Sequence, residues 1–161
     1  MPLQTSNSVV AFVGHDRQPI TRAWIEAVGK ANKGRLSAPE TERELLPLFD
    51  ALVGAAEQNG FDLSAPAFGE VRAMLTEYSR SRARQGFSPT ETAIAVFALR
   101  DAVLDTARSH KTPPYTYGDF AAFSTFIDQL GLITFEAFLQ TREAAIVNQA
   151  QQLLELSTPV V

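Results

Sequence analysis

Residues with catalytic or ligand-binding chemistry are few in this chain. It has two histidines, His15 and His110, and no cysteine, which excludes disulfides and cysteine-based zinc sites within this sequence. A haem protein of the globin type needs a histidine in the middle of its pocket. His110 instead stands beside Lys111 and Pro113 at a predicted helix end, where a positive charge suits the helix dipole. We interpret His110 as a solvated helix-end residue and predict no haem or other cofactor.

Six cations form two groups in the sequence, and a bound anion is one interpretation of them. The groups are Arg80, Arg82 and Arg84, and Lys30, Lys33 and Arg35. Arg80 and Arg84 share one face of a helix, whereas Arg82 does not. No glycine-rich phosphate loop accompanies either group. We favour the alternative, in which both groups are solvated helix ends whose positive charges complement the helix dipole.

Acid–base and nucleophilic chemistry have no recognisable arrangement in the sequence. Several carboxylates fall in predicted first turns or on polar faces, namely Glu40, Glu42, Glu44, Glu70, Glu77 and Glu91. Spacing alone identifies no catalytic pair among them. Ser79 and Ser81 have no histidine nearby in sequence, and Ser88 is explained as a helix cap. We therefore predict that the chain is not an enzyme and has no catalytic or metal-binding residue.

Residues 80–108 contain the central helix of the predicted fold. Ser88, Pro89 and Glu91 form a strong helix start. The serine caps a free N–H, the proline needs no donor there, and the glutamate reaches back to the cap. Residues 93–99 follow as AIAVFAL, which is apolar on nearly every side of a helix. Such a helix must be covered by neighbours on most sides, so the other segments exist partly to cover it.

Apolar residues at helical spacing predict further helices around this one. The stripes are Val9 to Val13; Ile20, Trp24, Ala27, Val28 and Ala31; Leu45, Leu48, Phe49, Leu52, Val53 and Ala56; Phe68, Val71, Leu75 and Tyr78; and Phe120, Phe123, Ile127 and Leu130. Pro47 is expected to kink the third of these helices or to delay its start. Gly60 and Gly131 are predicted stops. No stretch alternates with a period of two, so we predict an all-α helical bundle.

The last predicted helix, from about residue 134 to residue 156, differs from the others. Leu132, Leu139, Ile146 and Leu153 recur every seven residues, a period that suits pairing with another helix. Their heptad companions are only half apolar and are Phe135, Arg142, Gln149 and Leu156. The helix would extend roughly 35 Å, more than a small domain needs on one side. We predict a dimerising linker helix that uses Leu139, Ile146, Leu153 and Leu156.

The sequence also predicts where the helical domain ends and in which compartment it works. Residues 1–156 are expected to form one domain, whereas Pro159, Val160 and Val161 indicate that a further domain begins at residues 157–161. The net charge of -4 gives no general electrostatic case for nucleic acid. We recognise no signal peptide, and no apolar stretch that approaches the ~20 residues needed to span a bilayer. We predict a cytoplasmic protein without membrane contact.

Three stretches resemble one protein family. They are SRARQGFSPTET at residues 81–92, LGLITFEAFLQTRE at residues 130–143 and LLELSTPVV at residues 153–161. The first two are similar to the RsbRD type of N-terminal domain found in RsbR-like co-antagonist proteins. The third resembles the entry into the STAS domain that follows in that family. The resemblance covers most of the chain from Trp24 onward.

The resemblance implies a function that periodicity does not reveal. RsbR-like proteins assemble with RsbS-like STAS proteins and an RsbT-like switch kinase into the stressosome, which controls a stress sigma-factor pathway. Their N-terminal domains are described as dimeric sensory turrets with a globin-like fold that lacks haem. The resemblance thus implies a sensory domain that relays a signal through its C-terminal helix to a STAS domain. Thr141, Ser157 and Thr158 are available to the kinase, but none matches a phosphorylation motif securely.

Two alternatives of other classes stay open at this point. One is a helical sensor that binds haem or a small apolar ligand, because helical domains can leave cavities between helices. The aromatic residues that would line such a cavity are interpreted as core, and they are Phe87, Phe97, Phe120, Phe123, Phe126 and Phe135. The other alternative is a plain scaffold that only spaces and dimerises the STAS domain.

Overall fold

A computed structural model describes residues 7–157 of the chain, and its secondary structure is helical. Its helices are α1 (Ser8–His15), α2 (Arg17–Ala31), α3 (Ala38–Asn59), α4 (Gly69–Arg84), α5 (Pro89–Ala107) and α6 (Tyr117–Ser157), with a 3-10 turn at Pro66–Phe68. No strand occurs within residues 7–157. The predicted all-α class is confirmed, and the globin-like detail stays a prediction. Of residues 157–161, where we expected another domain to begin, only Ser157 is described.

Capping side chains mark the helix starts, as the sequence predicts for α5. Ser88 and Glu91 form a capping box at α5, in which the Glu91 N–H donates to Ser88 Oγ and the Ser88 N–H donates to Glu91 Oε1, both at 3.0 Å. The Asp119 N–H likewise donates to Thr116 Oγ1 at 3.2 Å at the start of α6. Because these side chains satisfy N–H groups that a helix leaves without partners, each fixes its helix start locally.

Helix α5 lies at the centre of the body, as its composition predicted. It packs mainly against α2 on one side and α6 on the other. The Trp24 indole N–H donates to the Ala95 carbonyl at 2.7 Å in the buried α2–α5 contact. Ile94 is an exception to the expected cover, because 42% of it is exposed. One narrow face of the central helix therefore stays open to solvent.

The prediction for Pro47 is corrected in one respect. Helix α3 begins at Ala38 directly after its Ser37 cap and continues through Pro47 to Asn59. A late start is therefore wrong. The predicted stop at Gly60 is confirmed, since the helix ends at Asn59 and Gly60 has a positive φ of 60°, a conformation that glycine adopts readily.

The predicted stop at Gly131 is wrong, and so is the predicted start of a separate last helix near residue 134. Helix α6 runs without a break from Tyr117 to Ser157, a length of 41 residues. Gly131 is needed for packing instead, because a Cβ there would lie closer than 3.0 Å to the ring of Phe97 on α5. A glycine inside a helix thus marks the closest approach of α5 and α6 rather than a helix end.

One expectation about membranes is also corrected. Helix α6 is long and apolar enough to cross a bilayer by length and composition alone, with a mean hydropathy of 1.2 over its best window. Of that window, 39% is buried inside the protein. A core helix satisfies the same criterion, so the helix is weak support for a membrane span. We treat its first half as part of the core.

Candidate functional site: the projecting part of helix α6

Helix α6 has two halves with different surroundings. Its buried residues all lie between residues 123 and 138, and they are Phe123, Phe126, Ile127, Leu130, Gly131, Thr134, Ala137 and Phe138. Residues 142–157 are all exposed. At 1.5 Å per residue, this projecting part extends roughly 24 Å beyond the last buried turn. A projecting helical part is therefore present as the continuation of a core helix, and its role as a linker stays a prediction.

The apolar seam of α6 faces away from the body. Leu132, Leu139, Ile146 and Leu153 are 66%, 42%, 58% and 67% exposed. Residues nine positions apart differ by half a turn, so Leu139 lies opposite the buried Leu130. The seam thus begins on the outer side of the body-packed half and continues along the projecting part.

The remaining heptad positions give a mixed picture. Leu156 is 84% exposed, and Val147 adds a further apolar side chain that is 48% exposed. Arg142 and Gln149 are exposed polar residues, and Phe135 is half-buried. The structure therefore places all four predicted linker residues, Leu139, Ile146, Leu153 and Leu156, on exposed helix. Each heptad of a pairing surface along α6 would have two core positions. One would always be apolar, and the other would be apolar in some heptads and polar in others.

A buried hydrogen bond anchors α6 just before it leaves the body. Ser79 Oγ on α4 donates to the Thr134 carbonyl at 2.9 Å, and Thr134 Oγ1 donates to the Leu130 carbonyl at 2.8 Å. Phe138, one turn further, is only 2% exposed and is among the last buried residues of α6. Sequence reasoning weighs Ser79 only as a nucleophile and misses this contact with α6. The one available signal was its position in the helical stripe of α4.

The two histidines lie at the surface, on either side of one carboxylate. His15 Nδ1 is 2.6 Å from Asp16 Oδ1, and His110 Nε2 is 2.9 Å from Asp16 Oδ2. The hydrogen bond from His15 is the largest cause that holds the pKa of Asp16 below its usual value. Burial opposes it, and the weaker hydrogen bond from His110 adds to the lowering. His110 lies beyond the end of α5, as predicted, but Asp16 occupies the nitrogen that a haem iron would need. The His110 ring packs edge-on against the Phe12 ring, with centroids 5.3 Å apart, and the His15 side chain is largely exposed.

The core leaves little room for an apolar ligand. A cavity between α1, α3 and α5 is lined by apolar side chains that include Val13, Phe49 and Leu99, and its volume is about 10 Å³. That volume is about one water molecule, far less than a fatty acid or haem requires. Phe87, Phe123 and Phe126 are buried core residues, as predicted, whereas Phe97, Phe120 and Phe135 are only half-buried. This core cavity gives no support to the small-ligand alternative.

The cations do not meet in one anion site, and the solvated interpretation is wrong for Arg82. Arg82 is completely buried, and its Nη1 donates to Glu44 at 3.2 Å and to Gln85 at 3.0 Å. Its guanidinium also lies 4.4 Å from the centre of the Tyr78 ring, an arrangement that favours a desolvated cation. Burial raises the pKa of Tyr78, while the charge of Arg82 opposes the rise. The aromatic residue four positions earlier was the sequence signal for this burial.

The other cations of the two groups have separate surroundings. Arg35 forms an ion pair with Glu91 and lies 3.9 Å from the centre of the Phe87 ring. Arg84 is 3.7 Å from Glu77. These contacts tie cations to neighbouring carboxylates and rings at the surface. Our preference for solvated helix ends over an anion site agrees with their geometry.

The fold and the exposed seam define a class of protein: an all-α domain in which most of the exposed large apolar side chains of residues 7–157 lie on one helix that leaves the body. The family described as RsbT co-antagonist protein rsbRD N-terminal domain matches residues 18–153, and the chain belongs to this family. The matched span runs from α2 to the seam residue Leu153. Its members are regulatory rather than catalytic. No curated protein and no solved structure matches the chain.

Proposed function

We propose that this chain is a non-enzymatic sensory domain of an RsbR-like stressosome protein. In this proposal it forms a homodimer through α6 and relays a signal to a STAS domain. The full-length protein would then act with RsbS-like STAS proteins on an RsbT-like switch kinase in the cytoplasm, and so control a stress sigma factor. Family membership supports the general role. The exposed seam of α6 is the single observation that supports dimerisation.

Burial energetics explain why the seam favours a partner helix. Burying an exposed leucine or isoleucine completely is worth about 1.5–3 kcal/mol. Four seam residues are between 42% and 67% exposed. Pairing with a second copy of the helix would remove most of that apolar surface from water on both chains. Association costs at least several kcal/mol of lost freedom. One or two exposed residues would not overcome this cost, whereas a seam repeated on both chains can.

The continuity of α6 supports the relay step. Residues of its first half are packed against α4 and α5, while residues 142–157 are exposed on the same unbroken helix. A shift of the packed half therefore moves the projecting part with it. A stimulus must favour one arrangement of the two α6 helices over another, because a signal with equal affinity for both moves no equilibrium.

Sedimentation of charged variants tests the proposed dimer. Ile146→Asp and Leu153→Asp each place a charge in the apolar seam, where pairing would bury it without a partner. We expect both variants to sediment as monomers at concentrations where the unchanged protein is a dimer. Asn148→Asp is the matched control, because residue 148 is exposed and lies almost opposite the seam. If both seam variants dimerise as strongly as the control, pairing through this seam is wrong.

A further inference from the structure

Helices α2 and α3 form a groove that the proposed signalling role does not use. They pack against each other less closely than α2 packs against α5, and α6 packs mainly on other elements. The groove between them has a volume of about 1060 Å³. Ile25, Leu36 and Leu46 form an apolar floor and are each half-buried. It is therefore an open cleft on the protein surface, with apolar atoms left in contact with water.

A glycine is among the residues that line the groove. Gly29 lies in the interior of α2, where glycine is about 1 kcal/mol less favourable than alanine. A Cβ at this position would meet no atom within 4 Å, so close packing within the chain does not require the glycine. This contrasts with Gly131, where the ring of Phe97 leaves no space for a Cβ. A larger side chain at residue 29 would therefore enter the groove without displacing a neighbour at its Cβ.

The rim of the groove is mainly cationic on a chain whose net charge is -4. Four cations and two carboxylates line it, namely Arg17, Arg22, Lys30 and Lys33, with Glu26 and Glu42. Two of these cations are paired, because Arg17 meets Asp50 and Lys30 lies 3.4 Å from Glu26. Within residues 7–157, Arg22 and Lys33 form no ion pair. Arg22 and Lys33 therefore leave unpaired positive charge on the lining of the apolar cleft.

We propose that this groove docks an amphipathic helix with an acidic face from a partner protein. The apolar floor suits the apolar stripe of such a helix, and the cationic rim suits flanking carboxylates. The groove lies between two neighbouring helices, and residues of α2 from Arg17 to Lys30 line it, a distance of roughly 20 Å. The half-buried Ile25, Leu36 and Leu46 favour a partner with an apolar stripe over a phosphate backbone, which would leave them uncovered.

Two buried contacts connect the groove to the signalling helix. Trp24 lies on the buried side of α2, where its indole N–H donates to the Ala95 carbonyl of α5 at 2.7 Å. Phe97 on α5 in turn covers Gly131 of α6. A partner that moves α2 would therefore act on α5 and then on α6. This relay rests on the proposed function, whereas docking in the groove does not.

A designed peptide tests the docking. The probe is an amphipathic helix of leucine and glutamate, roughly 18 residues long, and its counterpart carries lysine in place of glutamate. Calorimetry measures binding, and fluorescence of Trp24, the single tryptophan, reports on α2. We expect the acidic peptide to bind more weakly as salt rises. We expect the basic peptide to bind at least about tenfold more weakly than the acidic one.

Two variants and one control place the binding in the groove. Gly29→Leu fills the open space without a clash, and the double variant Arg22→Glu with Lys33→Glu reverses the rim charge. Each should weaken binding of the acidic peptide at least about tenfold. Arg80→Glu changes an exposed cation on α4 and should leave binding unchanged. Circular dichroism checks that every variant is folded.

Several outcomes would overturn the proposal. The acidic peptide fails to bind, the groove variants bind it as tightly as Arg80→Glu does, or the basic peptide binds equally well. Vesicles of phosphatidylglycerol form a separate arm. If they bind the protein in a way that depends on Arg22 and Lys33, and the peptide does not, the surface belongs to a membrane instead. Sedimentation of Ile146→Asp is independent of all these results, so failure of the groove and failure of the seam are distinguishable.

Discussion

The two halves of helix α6 have similar apolar side chains and opposite surroundings. In the body-packed half, Phe126 and Leu130 are each 1% exposed. In the projecting part, Ile146 and Leu153 are 58% and 67% exposed. The same helical propensity and the same kind of side chain therefore serve two purposes. The first half stabilises the fold of its own chain, and the second leaves an apolar surface exposed, which our proposal assigns to a partner helix.

The comparison shows why composition alone does not reveal the site. Along the whole of α6, apolar residues occur on two opposite faces, one toward the body and one away from it. A helix that is apolar on both faces reads as a fully buried helix. Only the positions of α4 and α5 show that one face is covered within the chain and the other is not. The body ends near Phe138, and beyond it no face of α6 is covered by the rest of the chain that the structure describes.

The largest expected effect comes from cutting back one side chain in each half. Phe126→Ala removes a ring that packs against Phe61 and Phe68, with centroids 4.9 and 5.4 Å away. It should lower the free energy of unfolding by about 3–5 kcal/mol. Leu153→Ala removes an exposed side chain and should change it by less than about 0.5 kcal/mol in monomeric protein. Urea denaturation measures both values.

The monomeric state in that measurement is provided by adding Ile146→Asp to both variants. If Leu153→Ala then costs as much as Phe126→Ala, the projecting part is covered within the chain and the contrast between the halves disappears. A small cost for both would instead mean that the first half of α6 is not the core helix described above.

A pair of glycine substitutions gives the next largest effect, with opposite signs. Gly131→Ala places a methyl group against the Phe97 ring and should lower the free energy of unfolding by about 1–3 kcal/mol. Gly29→Ala adds the same group to open space in α2 and should raise it by about 0.5–1 kcal/mol through helix propensity. Both glycines lie inside helices, so their propensity terms match. Equal changes in the two variants would contradict the close approach of α5 to α6.

Much of the fold could be predicted from local sequence signals. Capping residues such as Ser88 and Glu91 act within one turn, and the apolar stripes report directly on which face is buried. The start of α5 and the stop at Gly60 were therefore correct. Gly131 was misread because a glycine has the same sequence signature at a helix end and at a close helix contact. Which one applies depends on Phe97, 34 residues away in sequence, and local reasoning cannot supply that contact.

The candidate site shows the same division. The seven-residue spacing of Leu132, Leu139, Ile146 and Leu153 was visible in the sequence, and the structure leaves all four exposed. The anchor between Ser79 and Thr134 was not visible, because it joins a side chain to a backbone carbonyl of a distant helix. The burial of Arg82 was missed for a similar reason, since its partner Glu44 comes from α3. To predict a contact between two helices, one must know where both helices lie. The spacing of residues along one helix does not give the position of the other.

The smallest expected effect concerns the other end of the body-packed half, where Asp119 ties α6 to α1. The side chain and the N–H of Ser8 both donate to Asp119 Oδ2, at 2.6 and 2.7 Å. These bonds hold the pKa of Asp119 below its usual 3.8, against a smaller effect of burial. A carboxyl group with a lowered folded pKa stabilises the protein above its unfolded pKa, and that contribution is lost as pH falls through the lowered value.

Asp119→Asn removes the titration and keeps an oxygen acceptor. The difference in unfolding free energy between the two proteins should therefore be constant above about pH 5 and shrink toward about pH 2, as measured by urea denaturation at each pH. A difference that does not change with pH would mean that Asp119 is not held by Ser8, and that the first turn of α6 is as free of the body as its last.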